Sequence, residues 1–186
     1  MSKLFDPIQI GSLKIRNRFV RSATHDRMAE PDGRISESEL KLYEDLADGG
    51  TGLIITAHSY VSHPLGRASI PQNAIFDDKF IDGYKRLAEV VHRNGSKLVI
   101  QLAPAGRQTL SELIEGQMPV APSDLFDEKG QQVARALTYD EIQHLLEDYE
   151  SAALRAKRAG ADGVQLHMAH GYLPAQFLSP FTNKRE

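Results

Sequence analysis

The sequence predicts an α/β fold, specifically the amino-terminal half of a (β/α)8 TIM barrel with an N-terminal β-hairpin plug. Two observations lead to this prediction: short apolar segments alternate with amphipathic helical segments, and the longer polar loops follow the apolar segments. Continuous apolar strands between helices are typical of parallel sheets with both faces covered. Polar loops at the carboxyl ends of such strands form the functional face of a barrel.

The hairpin is predicted over residues 4–17. Ile8 and Ile10 alternate with polar residues, and Gly11 begins the turn that reverses the chain. In a barrel, we expect a hairpin at this position to plug the end opposite the functional face. A second strand-like run, residues 18–23, then ends in polar residues.

Three helix–strand units follow the first strand. Each helix has a start signal, apolar residues spaced three and four apart, and a glycine-containing turn into the next strand. Capping boxes begin at Ser36 and Thr138, and Asp77 begins the middle helix. The predicted strands cover residues 52–57, 97–102 and 164–167, and the predicted polar loops cover residues 58–69 and 103–136.

The sequence predicts too few strands and helices for a closed barrel. Four strands and three long helices are about half of what a closed barrel needs, and four parallel strands alone would leave two edges unpaired. An open doubly wound sheet fits the same pattern, but no G-x-G-x-x-G motif follows any predicted strand. We therefore interpret residues 1–186 as a single domain, the strand 1–4 part of a truncated barrel, which lacks its other half or pairs with a second copy of itself.

The composition excludes several classes of function. No cysteine is present, which excludes disulfides, thiolate nucleophiles and cysteine-ligated metal or iron–sulfur sites in this stretch. A net charge of -3 gives no indication of nucleic acid or an anionic membrane as a partner. The first residues lack the apolar core of a signal peptide, and no apolar run approaches the roughly 20 residues of a membrane span. We expect a soluble cytoplasmic protein.

Polar residues gather at the predicted strand ends, which a barrel arranges around one mouth. The densest stretch ends in His167, His170 and Tyr172, and Gly171 indicates that the strand has ended before them, so that the two imidazoles can converge. The simpler alternative is that one imidazole caps a helix and the other bonds to a neighbour. The other strand-end candidates are Ser22, Thr24, His25, Thr56, Ala57 and Gln101.

This set of groups contains no carboxylate pair and no nucleophile–base couple. It therefore suits a polar planar heterocycle and a substrate oxygen better than it suits hydrolysis. The alternative is a metal-dependent barrel hydrolase with His167 and His170 as ligands, but no Asp or Glu at a strand end completes its ligand shell.

Four segments carry a resemblance to a known family. IRNRF at 15–19, GGTGLII at 49–55, QLAPAGR at 101–107 and HMAHGYLPAQFLSP at 167–180 resemble, in this order, the old yellow enzyme family. Its members are FMN-dependent NAD(P)H:flavin oxidoreductases and ene-reductases. The resemblance covers essentially the whole chain.

The resemblance implies a barrel that binds FMN at its mouth, takes hydride from NADH or NADPH and passes it from flavin N5 to an activated alkene, such as an enone, a dienoyl compound or a nitro compound. The cofactor-binding residues it implies are Ser22, Ala23, Thr24, His25, Ala57 and Gln101. Ala57 is implied to meet the flavin through its backbone. His167 and His170 are implied to bind the substrate oxygen, and Tyr172 to donate a proton.

The chain also departs from the family pattern. Ala23, Thr24 and His25 stand where members commonly have Pro-Met followed by Cys or Thr, although His25 resembles the dienoyl-CoA reductase branch. Pro104 replaces a frequent histidine. We expect residues 1–186 to leave out the second barrel half, which in the family supplies an arginine and the phosphate-binding loops to the flavin. A catalytically incomplete fragment that needs this half or self-association is therefore the competing expectation.

Overall fold

The structure, a computed structural model, describes residues 3–186. Its α-helices are α1 (Glu37–Asp48), α2 (Ile81–Arg93), α3 (Tyr139–Arg158) and α4 (Leu173–Leu178). Its strands are β1 (Ile8–Ile10), β2 (Leu13–Ile15), β3 (Val20–Arg21), β4 (Leu53–Tyr60), β5 (Lys97–Ala103), β6 (Val120–Ala121), β7 (Leu125–Phe126), β8 (Gln132–Ala136) and β9 (Gly163–Leu166). None of the helices in this range combines the length and the apolar character needed to cross a membrane.

The main sheet has four parallel strands in the order β3-β4-β5-β9. Helices α1, α2 and α3 connect them in turn, which confirms the three predicted helix–strand units. The spatial order of the strands follows their order in the chain. This is the arrangement of a barrel, whereas the strand order of a doubly wound sheet reverses near its centre.

The hydrophobic core lies between the three long helices and one face of this sheet. Ile54, Leu98 and Ile100 are fully buried on the sheet side. The helices pack Tyr43, Leu40, Ala47, Tyr84, Leu87, Val91, Ala152 and Ala156 against them. On the opposite face, Ile55 and Val99 remain partly exposed. Within residues 3–186, helices therefore cover one face of the sheet, whereas the sequence predicted that both faces would be covered.

The two predicted capping boxes have different outcomes. At α3, Thr138 Oγ1 accepts a hydrogen bond from the Glu141 N–H at 3.2 Å, and the Glu141 carboxylate accepts one from the Thr138 N–H at 2.8 Å. At α1, Ser36 Oγ accepts from the Glu39 N–H at 3.1 Å, but the Glu39 carboxylate instead accepts from Asn73 Nδ2 at 2.9 Å. The second half of that box is replaced because burial brings Glu39 against the loop after β4.

The hairpin predicted at the start of the chain is confirmed, since β1 pairs antiparallel with β2. Directly after it, Arg16 donates hydrogen bonds to the carbonyl oxygens of Ala47 at 2.8 Å and Thr51 at 3.2 Å, and to Ser96 Oγ at 3.1 Å. These groups lie at the end of α1 and in the turns that lead into β4 and β5. The hairpin therefore lies at the amino ends of the parallel strands, and its role as the plug of a closed barrel stays a prediction.

Two predicted loops contain more structure than the sequence pattern indicated. Strand β4 continues to Tyr60, so His58 lies in the strand and not in the loop that follows it. The segment predicted as a loop over 103–136 contains a small sheet in the order β6-β8-β7. Strands of two to five residues are too short to show a period, and they form here because Val120, Ala121 and Ala134 are buried.

Candidate functional site

A cavity of about 670 Å³ opens at the carboxyl ends of the parallel strands. Seven of the predicted site residues line it: Ala23, Thr24, His25, Gln101, His167, His170 and Tyr172. Six lining residues were not predicted, and three of them have polar side chains: His58, Gln108 and Gln165. Within residues 3–186, Ser22 and Ala57 do not contribute to this lining.

The two imidazoles after β9 converge, as the sequence predicted. The ring centroids of His167 and His170 are 5.2 Å apart, and those of His167 and Tyr172 are 4.5 Å apart. The rings meet because β9 ends at Leu166, so the strand rule that neighbouring side chains alternate between faces no longer applies. The chain then turns through two successive residues with positive φ, His170 at 55° and Gly171 at 73°.

Two glutamines fix the shape of this turn. Gln108 Nε2 donates to the carbonyl oxygen of His170 at 3.1 Å, and the buried Gln176 donates through Nε2 to the carbonyl oxygen of Gly171 at 2.6 Å. A Cβ atom at Gly171 would lie 2.7 Å from Gln108 Nε2. Glycine is therefore favoured here, chiefly by its positive φ, and a side chain would also displace the Gln108 amide from the His170 carbonyl oxygen.

The hydrogen bonds of His167 assign its tautomer. The Ala169 N–H lies 3.3 Å from His167 Nδ1, which must therefore accept. Burial lowers the pKa of His167, and the neighbouring His170 lowers it further, so the ring is neutral near pH 7. Its single proton is on Nε2, which makes Nε2 a hydrogen-bond donor.

A bulge in β4 explains why His58 reaches the cavity. Ile55 pairs with Val99, but the next pair along the two strands is His58 with Gln101, so β4 contains one extra residue. Without that residue, Ala57 would occupy the register position beside Gln101. The bulge gives this position to His58, because one inserted residue reverses the faces to which all later side chains point.

His58 is enclosed by other rings of the site. Its centroid lies 4.8 Å from that of His25, 5.9 Å from that of His167 and 5.3 Å from that of Tyr172. His58 Nε2 is 3.3 Å from Tyr172 Oη. Burial and, to a smaller extent, the neighbouring imidazoles of His25, His167 and His170 together lower the pKa of His58 to about 3. His58 is therefore neutral at physiological pH.

The cavity also presents amide groups from neighbouring strands. Gln101 Nε2 donates to Gln165 Oε1 at 2.7 Å, and the Gln101 backbone N–H donates to Thr56 Oγ1 at 3.1 Å. The two glutamines share a face because they are directly paired between β5 and β9. Near the end of β3, His25 Nε2 lies 3.1 Å from Ser69 Oγ. The lining thus offers uncharged donors and acceptors.

Ala57 and Ser22 have other surroundings. The Ala57 N–H donates to the Tyr43 hydroxyl at 2.9 Å, and its carbonyl oxygen accepts from Thr56 Oγ1 at 2.8 Å. Ser22 is exposed, and its carbonyl oxygen accepts from Arg21 Nη1 at 3.0 Å. The flavin contacts implied for these two residues stay predictions.

The metal-ligand alternative finds no support in the geometry. In the part of the chain that the structure describes, no group of three or more His, Asp or Glu side chains is arranged to hold a metal ion. His167 and His170 therefore have no third ligand of this kind.

Comparison with known proteins places the chain among flavin oxidoreductases. It is 42% identical over 182 residues to an NADH oxidase of Thermoanaerobacter brockii, an alignment that covers 98% of this chain and 28% of the relative. It is also 42% identical over 183 residues to a probable NADH-dependent flavin oxidoreductase of Bacillus subtilis (strain 168), covering 98% of this chain and 48% of the relative. The chain thus spans half or less of the length of these relatives.

Solved structures agree with this placement. Morphinone reductase in complex with tetrahydroNAD superimposes with a TM-score of 0.90 at 35% identity, over 100% of this chain and 54% of that one. Old Yellow Enzyme from Pichia sp. AKU4542 gives 0.91 at 31% identity, over 98% of this chain and 50% of that one. A model of the NADH:flavin oxidoreductase / NADH oxidase family matches residues 3–186, and the chain therefore belongs to this family, whose cofactor is FMN and whose hydride donors are NADH or NADPH.

Proposed function

We propose that this chain forms the amino-terminal, FMN-binding and substrate-binding part of a barrel enzyme that reduces activated alkenes with NADH or NADPH. The observation that carries the proposal is the convergence of His167, His170 and Tyr172 in one cavity with Thr24 and Gln101. A cytoplasmic location and self-association remain predictions.

The residues present fit a flavin ring. The ring presents carbonyl oxygens and ring nitrogens, which accept and donate hydrogen bonds, and the lining supplies the amides of Gln101 and Gln165 and the hydroxyl of Thr24. We propose that Gln101, Thr24 and His25 hold this ring. When bound, FMN supplies the hydride that the reaction transfers.

The two imidazoles after β9 are proposed to bind the substrate oxygen. Negative charge builds on that oxygen when the β-carbon of the alkene is reduced, and N–H donors already in place stabilise it. The tautomer of His167 directs its Nε2–H away from the Ala169 backbone, so this proton is free for the oxygen. Removing one such donor in comparable sites slows the reaction by about 10²–10³-fold.

Tyr172 is proposed to complete the reduction as the proton donor. Burial raises the pKa of Tyr172, so its hydroxyl is protonated at neutral pH. Its ring lies 4.5 Å from that of His167, which supports a hydroxyl position close to the substrate oxygen that the imidazoles are proposed to bind. A positioned phenol of this kind can deliver a proton to the α-carbon.

The test separates the two half-reactions. In His167→Ala and His170→Ala proteins reconstituted with FMN, we expect reduction of cyclohexenone by the reduced protein to slow about 10²-fold or more. We expect reduction of the flavin by NADPH or NADH to change much less, since the imidazoles act on the alkene oxygen. Stopped-flow absorbance in the flavin band measures both rates.

His144→Ala is the matched control, because His144 is exposed on α3 outside this cavity. It should leave both rates unchanged. Equal losses in the two half-reactions of His167→Ala and His170→Ala would contradict the assigned role and indicate a general effect on flavin binding.

A second candidate is that the 186-residue chain is catalytically incomplete and needs a carboxyl-terminal half or self-association. The coverage of only 28% to 54% of the relatives favours it. Titration of FMN fluorescence with the purified chain decides between the candidates. Tight, equimolar quenching by a monomer supports a complete flavin site, whereas quenching only after addition of the carboxyl-terminal half of a relative supports the incomplete chain.

A further inference from the structure

We propose that His58 is the positioning residue for Tyr172: its ring holds the phenol hydroxyl in place, and its Nε2–H stabilises the phenolate that remains when Tyr172 gives up its proton. This inference rests on the proposed function, because it assumes that Tyr172 is a proton donor. It adds a residue of β4 whose position in the site depends on the strand bulge.

The first support is the placement of the ring. His58 is 6% exposed and its Nε2 is 3.3 Å from Tyr172 Oη. Tyr172 has His58 as its partner only because of the bulge in β4. A strand without the bulge would present the methyl group of Ala57 at the position beside Gln101. A methyl group offers no hydrogen bond to the phenol, so the extra residue in β4 supplies a contact that the regular strand would lack.

The second support is the charge of the surroundings. The titratable groups that face His58 are His25 at the end of β3, His167 and His170 after β9, and Tyr172 at the start of α4. The group contains no carboxylate, so nothing in it stabilises a protonated His58. A neutral imidazole has one donor and one acceptor nitrogen. Nε2 can therefore donate to Tyr172 Oη while the phenol proton points into the cavity.

The Oη–H bond of Tyr172 breaks, a C–H bond forms at the α-carbon of the alkene, and the electron pair stays on Oη. The proposed reaction supplies the hydride to the β-carbon, so no further reductant is needed. His58 Nε2–H then donates to the phenolate, and Oη regains a proton from solvent through the open mouth of the cavity.

The test measures the phenol directly, without FMN. His58→Phe keeps a planar ring but removes both nitrogens, and His58→Gln restores an amide N–H. We expect the pKa of Tyr172, which burial already raises above its ordinary value, to rise by about one pH unit more in His58→Phe and to return most of the way in His58→Gln. The ¹³Cζ shift of Tyr172 measures this change when it is followed from about pH 8 to well above the ordinary phenol pKa of about 10. Loss of the signal in Tyr172→Phe assigns it.

Ser69→Ala is the control, since Ser69 contacts His25 at the other end of the row of imidazoles and not Tyr172. It should leave the pKa of Tyr172 unchanged. An unchanged pKa of Tyr172 in His58→Phe would overturn the proposal. If that variant does not fold, ¹⁵N spectra of the imidazoles decide: Tyr172→Phe must change the Nε2 shift of His58, and an unaltered shift would also overturn it.

A kinetic measurement separates this inference from the proposed function. With FMN bound, His58→Phe should slow alkene reduction about tenfold and leave flavin reduction unchanged, and it should add little to the effect of Tyr172→Phe. If Tyr172→Phe alone leaves alkene reduction unchanged, its role as proton donor in the proposed function is wrong, whatever the phenol titration shows. If Tyr172→Phe slows the reaction but His58→Phe does not, only the role of His58 is wrong.

Discussion

Single buried residues connect the scaffold of this protein to its site, and Glu39 is the clearest case outside the cavity. Both of its carboxylate oxygens accept from Asn73 Nδ2, at 2.9 and 3.0 Å, so α1 is tied to the loop that follows β4. Burial raises the pKa of Glu39 to about 7, although the bond from Asn73 opposes the shift. A carboxyl group that is costly to ionise thus lies beside the strand that carries His58.

Glu39 should make stability fall as the pH rises. Its folded-state pKa is above the unfolded value of 4.5, so the folded protein binds more protons between pH 4.5 and about 7, and stability is lost across that window. We expect Glu39→Gln to remove this loss, which is at most about 3 kcal/mol by pH 8. Urea unfolding at pH 5 and pH 8 measures it. Glu150→Gln, at an exposed position of α3, should keep the wild-type pH dependence, and an identical pH dependence in Glu39→Gln would refute the assignment.

At the scale of elements, the helices that lie behind the sheet depend on their first turns. The capping box of Thr138 and Glu141 starts α3, and Arg135 fixes the same carboxylate through two nitrogens, at 2.7 and 2.9 Å. Arg135, chiefly, and the hydrogen bonds with Thr138 lower the pKa of Glu141 to about 2. Helix α3 leads directly into β9, so its start also sets the position of the strand before His167.

We expect Thr138→Ala to lower the free energy of unfolding by about 1 kcal/mol, because the Glu141 N–H loses its acceptor. Denaturant unfolding with far-UV circular dichroism measures this change. Gln143→Ala lies one turn further along the same helix at an exposed position and should change stability by less than about 0.5 kcal/mol. Equal effects in the two variants would mean that helix propensity, and not the cap, determines the result.

The elements that could be predicted are those with local signals. The caps at Ser36 and Thr138 and the 3.6-residue period identified the helices, and the convergence of His167 with His170 followed from Gly171. His58 could not be found in this way, because its direction depends on a bulge against β5, more than 40 residues away in the chain. The partner of Glu39 is Asn73, 34 residues away, and no local pattern identifies such a contact.

At the scale of the whole molecule, the main sheet is packed against other elements on its helix side but is exposed at its β9 edge. The helix side of the sheet packs on a continuous hydrophobic core. Strand β9 forms one edge of the sheet in residues 3–186, and each of its residues, from Gly163 to Leu166, is partly or fully exposed. Val164 is 39% exposed and Leu166 is 52% exposed. Solved relatives extend well beyond the matched region, which covers 54% of morphinone reductase. The candidate site therefore lies beside an open edge.

An open apolar edge strand favours pairing with another chain. We expect the 186-residue chain to self-associate as its concentration rises, and Val164→Lys to weaken this association, because a charge on an edge strand must be desolvated when another strand pairs with it. Light scattering with size-exclusion chromatography across a concentration series measures the mass. Leu154→Lys places the same charge on the outer side of α3, where the leucine is 54% exposed, and should associate like the parent. A parent chain that stays monomeric, or equal weakening by both lysines, would show that β9 is not the contact, since only Val164 lies on the edge strand.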